Sequence, residues 1–329
     1  MFGRHRVKTV ALVLGFSLLL GLATLGGSVW AAFEATTSSA GNSVSSAPDW
    51  DPPTAASSVL AKTQGGTPGF IHQGGTYNVY SNVTDAGKPA SGVASVTANL
   101  ATITTGQSTA PLAVGSFAVG TESYNYRTAN LTANAVLAAS TYTYSLTSTD
   151  KGGRGRTQTG YTVTVDNTAP LASDIQTTNK SGNIAGRPDI GDTVVFTFSE
   201  PIDPTSVLGG WAGAATNVVA RIDNNAPTND RFAVYNAANT TQLPLGTVAL
   251  GRNDYVSAGA TFGATGIAST MVMSGNAITI TLGTASSGPT TAISTGAMIW
   301  SPSASAFDRA GNAESAATKT ETGTADKDF

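Results

Sequence analysis

Acidic residues are the side chains of this sequence whose spacing suits chemistry. Glu200 and Asp203 stand close together in Ser199-Glu200-Pro201-Ile202-Asp203-Pro204. A pair of carboxylates is what glycosidic hydrolysis requires. Here the two prolines fix an extended exit from a strand, and the acids are better suited to capping the turn that follows. Calcium is the second option, because it takes hard oxygens from Asp, Asn and carbonyl groups. Asp85 and Asp150 at turns, and Asp166 with Asn167 at a linker, are weak calcium candidates, with no EF-hand spacing around them. Turn capping explains the same residues without an ion.

Nucleophilic chemistry has less to work with. The chain has 2 histidines and 0 cysteines. One histidine, His5, lies in the basic start. The other, His72, sits beside the Gly74-Gly75 turn and reads as a surface loop residue rather than a triad base. No Gly-x-Ser-x-Gly elbow or phosphate loop precedes a helix. Tyr124-Asn125-Tyr126 has the aromatic character of a sugar platform, but strand tyrosines more commonly pack across a sheet. Trp211 and Trp300 read as core or domain-interface residues. The expectation is a protein with no catalytic residues and no resident cofactor.

The elements that would position these residues are strands. Of the 329 residues, 40% are hydrophobic and only 11% charged, so a core is affordable and an acidic disordered chain is excluded. The formal net charge of -3 gives no basic field for nucleic acid. Zero cysteines exclude a disulfide framework and a zinc-thiolate site. Period-two alternation marks Tyr77, Val79 and Val83, then Tyr142, Tyr144 and Leu146, then Tyr161, Val163 and Val165. It returns at Val194, Phe196 and Phe198, and at Ile278, Ile280 and Leu282. Thr and Ser fill the alternate positions, and Gly-rich turns separate the runs. Two antiparallel β-sandwiches are expected, over 50–168 and 169–329. Each boundary leads from an acid into proline, at Asp49-Trp50-Asp51-Pro52-Pro53 and Asp166-Asn167-Thr168-Ala169-Pro170. An echo links the halves. Asp150-Lys151-Gly152-Gly153-Arg154 and Asp308-Arg309-Ala310-Gly311-Asn312 both read as turns with a capping Asp and a glycine three residues on.

These residues carry a resemblance. The stretch from Thr147 to Asp150, continued by Val163-Thr164-Val165-Asp166-Asn167-Thr168-Ala169-Pro170, resembles the end of a bacterial Ig-like repeat. The second half keeps that family's Asp-x-Ala-Gly-Asn turn at 308–312, whereas the first half departs from it with Gly152-Gly153-Arg154. Gly92-Val93 is similar to its Ser-Gly-Val segment. Val194 through Asp203 resembles the SbsA-type Ig-like domain of surface-layer proteins, marked by Phe198-Ser199-Glu200-Pro201. The resemblance implies all-β Ig-like domains on an exported protein, serving as spacer, adhesin or appendage.

The amino terminus supplies the export signal. Arg4, Arg6 and Lys8 precede an apolar run over 10–25, followed by Gly26-Gly27 and small residues. This pattern predicts a signal peptide over 1–31, with cleavage between Ala31 and Ala32. The alternative is an uncleaved membrane anchor, for which the run is short. Residues 32–49 read as a flexible low-complexity segment. The exit site with Ala32-Phe33 resembles signals of the TasA/camelysin class, over these residues alone. It implies a secreted or cell-surface bacterial protein.

The sequence therefore predicts a secreted, non-enzymatic structural or adhesive protein. Its partners would be a cell-wall or matrix component or copies of itself, with signal peptidase acting during export. Two alternatives stand beside this. One is a fibre subunit in which residues 32–47 add as a strand to a neighbour. The other is a module binding glycan or protein.

Overall fold

The alternating runs become strands of two separate sheets. A computed structural model of the protein describes residues 49–329. The expected signal peptide, its cleavage site at Ala31 and Ala32, and the low-complexity segment through residue 48 lie outside the described residues. Among the described residues, no helix is long and apolar enough to cross a membrane.

The first sheet has nine strands: β1 (Thr54–Lys62), β2 (Phe70–Ile71), β3 (Thr76–Thr84), β4 (Val93–Asn99), β5 (Ala110–Val119), β6 (Glu122–Thr128), β7 (Leu131–Thr132), β8 (Ser140–Asp150) and β9 (Gly155–Val165). Their order is β1-β3-β6-β5-β4-β8-β9-β2, with β7 also on β3. All pairs are antiparallel except β2 with β9. Leu60, Tyr77, Val79, Leu146 and Val163 point into one core.

The second sheet has ten strands: β10 (Ala172–Thr178), β11 (Thr193–Phe198), β12 (Thr216–Asp223), β13 (Arg231–Asn236), β14 (Thr247–Ala249), β15 (Ala260–Phe262), β16 (Ser269–Ser274), β17 (Ala277–Thr281), β18 (Ile299–Ser301) and β19 (Lys319–Thr320). One helical turn, α1 (Pro204–Val207), follows β11. This sheet encloses its own core around Trp300, whose ring meets Phe196 and Phe198 edge-on at 5.1 and 5.0 Å. The Trp300 indole donates to the Leu245 carbonyl at 2.7 Å, and buried Trp211 donates to that of Ala214. Both tryptophans thus take the core positions their sequence suggested.

One strand differs from the half-buried expectation. In β3, Asn78 and Tyr80 are buried as well as Tyr77 and Val79. The reason is that the β5–β6 hairpin folds over the outer face. Phe117 and Tyr124 lie 6.3 and 5.9 Å from the Tyr80 ring, and Asn78 donates to the Thr128 carbonyl. Tyr124 is therefore engaged in cross-strand packing.

Side chains close the ends of both sheets. In the first, the Gln158 amide accepts from Ala55 N–H and donates to Ala55 C=O, imitating a strand between β9 and β1. Gly69 N–H also donates to Leu60 C=O, bringing β2 against β1. In the second, Thr322 donates its N–H and hydroxyl to the two Asp174 oxygens, while Gln176 donates to the Thr322 carbonyl. Terminal strands that would otherwise template a neighbour are occupied.

Candidate functional site at the junction of the two sheets

The linker between β9 and β10 enters the second sheet beside the turn at 308–312. Asp308 N–H donates to Asn312 C=O at 3.0 Å, and Gly311 N–H donates to Asp308 C=O at 3.1 Å. Asn312 N–H donates to Asp308 Oδ1 at 2.7 Å. Gly311 takes φ +85°, a conformation that favours glycine. The first sheet carries the same skeleton at 150–154. The matching distances are 2.9, 3.2 and 2.8 Å, with Gly153 at φ +83°.

The fifth residue of the later turn reaches across the junction. Asn312 Nδ2 donates to the Asp166 carbonyl at 2.9 Å and to Asp308 Oδ2 at 2.8 Å. Ser315 N–H donates to Pro170 C=O, and Thr67 N–H to Arg309 C=O, both at 2.9 Å. The Arg309 guanidinium lies 5.8 Å from the Phe70 ring centre.

Three carboxylates converge here. Asp166, Glu200 and Asp308 each place an oxygen within 4.8 Å of the others. Neither ion pair among the described residues, Arg187–Asp189 or Arg252–Asp254, involves these three carboxylates. Three like charges so close cannot all be ionised cheaply. Burial, together with the charges of Asp166 and Asp308, pushes the Glu200 carboxyl up to about 7. Burial also raises Asp308, against the Asn312 hydrogen bonds that hold it down. The cluster therefore retains a proton near neutrality. Calcium takes about six to eight oxygens. These three acids, with both Asp308 oxygens already accepting from Asn312, fall short of that shell on their own.

The other sequence candidates have local roles. Asp85 accepts from Gly87 and Gly92 N–H groups. Asp150 caps its own turn, and its Oδ2 has no partner among the described residues. Asn167 accepts from Gln73 N–H and donates to Leu137 C=O. Of the four calcium candidates, only Asp166 joins the cluster. Asp203 caps α1 through Thr205, while Glu200 turns to Asp166 and Asp308. His72 is half-buried beside the Gly74–Gly75 turn, with Nδ1 at 2.7 Å from the Gln73 carbonyl.

A cleft of about 530 Å³ opens next to this junction. The first sheet contributes Lys62, Gln64, Gly66 and Thr76; the second contributes Thr205 and Phe307. The Lys62 ammonium lies against Gly311, leaving no room there for a side chain. Burial lowers its basicity, and the carboxylates of Asp308 and Asp203 oppose that. Sequence reasoning passed over Asp308, Asn312 and Lys62. The echo of the Asp150 turn was the available signal for the first two; Lys62 left none. No protein-family model matches the chain, and no curated protein does.

Proposed function

We propose that the chain is an exported structural and adhesive protein without catalytic chemistry, in which two Ig-like sandwiches act as one stiff spacer at the cell surface or in extracellular matrix. The observation that carries this reading is the clasp at Asp166–Pro170. The linker carbonyls are hydrogen-bonded by Asn312 and Ser315, so the connection is held by the second sheet rather than left as a tether. Closed sheet ends fit the same role, because a spacer displayed in quantity must resist edge-to-edge association. The leader and the Ig-like resemblance supply the surface location.

The absence of cysteine makes the test direct. Spin labels go on Val136→Cys and Ile293→Cys, at positions 92% and 80% exposed in the two sheets. The expected distance distribution between the labels is single and narrow, and Asn312→Ala broadens it. A broad distribution in the parent protein overturns the stiff spacer. Expression with its own leader in a Gram-positive host should place the chain outside the cytoplasm; cytoplasmic retention overturns export.

A further inference from the structure

We infer that the cleft between the two sheets binds a neutral saccharide, with one sugar ring on Phe307 and its hydroxyls on Lys62, Gln64 and Thr76. This inference rests on the adhesive part of the spacer reading and gives it a ligand class. The cleft volume of about 530 Å³ falls within the roughly 300–1,000 Å³ of small-molecule sites. Its lining sets polar side chains among a larger apolar surface that includes one exposed aromatic, an amphipathic combination that suits a sugar's hydroxyls and its C–H face. Phe307 is 39% exposed in this lining. Its backbone is fixed from both sides: Phe307 N–H donates to Ser206 Oγ at 3.0 Å, and Phe307 bridges to Ala313. An aromatic whose backbone is anchored at a cleft offers a stacking face at a reduced ordering cost.

The donors are also in place. Among the described residues, Lys62 Nζ, the Gln64 amide and the Thr76 hydroxyl make no hydrogen bond, although all three line the cleft. Lys62 is positioned by packing on Gly66 and Gly311, two glycines of positive φ with no space for a side chain. Charge selects the ligand. Asp203 and Asp308 already attract the Lys62 ammonium, and Glu200 and Asp166 lie beside Asp308. These carboxylates lie behind the lining and already offset the Lys62 charge, so an anion gains little from it, whereas neutral hydroxyls accept from Lys62 and donate to Gln64 without a charge penalty.

The test titrates the ¹⁵N-labelled full chain with cellohexaose, maltohexaose, chitohexaose and, as an anionic comparison, hexagalacturonate. The expected result is movement of the Gly65, Gly66 and Gly311 amide signals with at least one neutral hexasaccharide. Phe307→Ala and Lys62→Met should each weaken that binding about tenfold, while Val114→Ala, on an exposed strand of the first sheet, leaves it unchanged. Both cleft residues are at least partly exposed, and the remaining amide signals report whether each variant is folded. No movement with any neutral probe at about 5 mM, a threshold near the weak end of specific binding, overturns the inference. So does binding of hexagalacturonate alone, or affinity indifferent to both variants. Any of these outcomes leaves the spin-label distances free to support or refute the spacer on their own.

Discussion

The turns at 150–154 and 308–312 share a backbone hydrogen-bond skeleton to within 0.1 Å at each of its three bonds. They differ in what the same skeleton holds. In the first, Arg154 Nε donates to the Asp49 carbonyl at 2.7 Å, and its guanidinium stacks 4.0 Å from the Trp50 ring centre. In the second, Asn312 donates to the Asp166 carbonyl. Each turn therefore grips the acid that leads into its own sheet. The acids around the two grips fare differently. Asp49 and Asp85 accept backbone N–H groups of Asp51, Ser91, Gly87 and Gly92 and are satisfied locally. Asp166, Glu200 and Asp308 face one another instead. One skeleton makes a plain entry clamp in one place and a titratable junction in the other, and the side chains around it decide which.

Six residues past the leading Asp the contrast is widest. Arg156 is exposed, whereas Glu314 is 2% exposed with neither carboxyl oxygen partnered among the described residues. Burial pushes Glu314 up to about 8. A carboxyl raised in the folded state costs stability as pH climbs from its ordinary range, near 4.3, through that raised value. Glu314→Met should therefore stabilise the protein by about 2–3 kcal/mol at pH 9, with the gain shrinking toward pH 5. Arg156→Met should do nearly nothing. Urea unfolding at both pH values measures this, and a Glu314→Met gain independent of pH would mean that the carboxyl is solvated in solution.

The grips themselves come next. Asn312→Ala removes the donor to Asp166 and one of the Asp308 hydrogen bonds, and should cost about 2 kcal/mol. Arg154→Ala loses one hydrogen bond and a cation–π pair to the exposed Trp50 ring, worth about 1 kcal/mol. Equal losses in urea unfolding would mean that the junction is no tighter than the entry clamp.

A smaller effect separates the two acid groups by pH. Glu200 is raised to about 7, so its cost is absent below its ordinary range near 4.3 and complete above about 7. Since the group is partly solvated, the loss between pH 5 and pH 8 should be on the order of 1 kcal/mol or less. Glu200→Gln should flatten that part of the profile, and Asp85→Asn should not. If calcium, rather than the substitution, flattens it in the parent protein, a cation has replaced the proton.

Much of the fold was written in short-range pattern. Val194, Phe196 and Phe198 alternate in sequence and all point into the core, because a strand has no other way to bury them. The two turns were legible because Asp and Gly three residues apart satisfy local geometry. Other features depended on which strands meet. Tyr80 was hidden by a hairpin some forty residues away, and Gln158 closes a sheet through Ala55, 103 residues earlier. The junction was half legible: Asp166 stood out in a linker that leads into Pro170, but Glu200 read as a turn acid. Only the packing of β11 beside the later turn brings Glu200 to Asp308. Lys62 had no signal, since an isolated lysine at a strand end is ordinary.

The finest comparison is between the glycines. Gly153 and Gly311 have φ +83° and +85°, so alanine at either should cost roughly 1–2 kcal/mol for the left-handed conformation. Their surroundings differ: open space lies beside Gly153, and Lys62 Nζ lies beside Gly311. An ammonium at the end of a flexible stem can swing aside, which predicts a stability difference between the two variants below about 0.5 kcal/mol. The difference should surface in Lys62. Burial now lowers its basicity, so displacement toward water in Gly311→Ala should raise its titration midpoint, whereas Gly153→Ala should leave it unchanged. NMR titration of the lysine side-chain signals reads this directly. If Gly311→Ala is instead far more costly than Gly153→Ala, Lys62 cannot leave its place against Gly311 and braces the two sheets as well as lining the cleft.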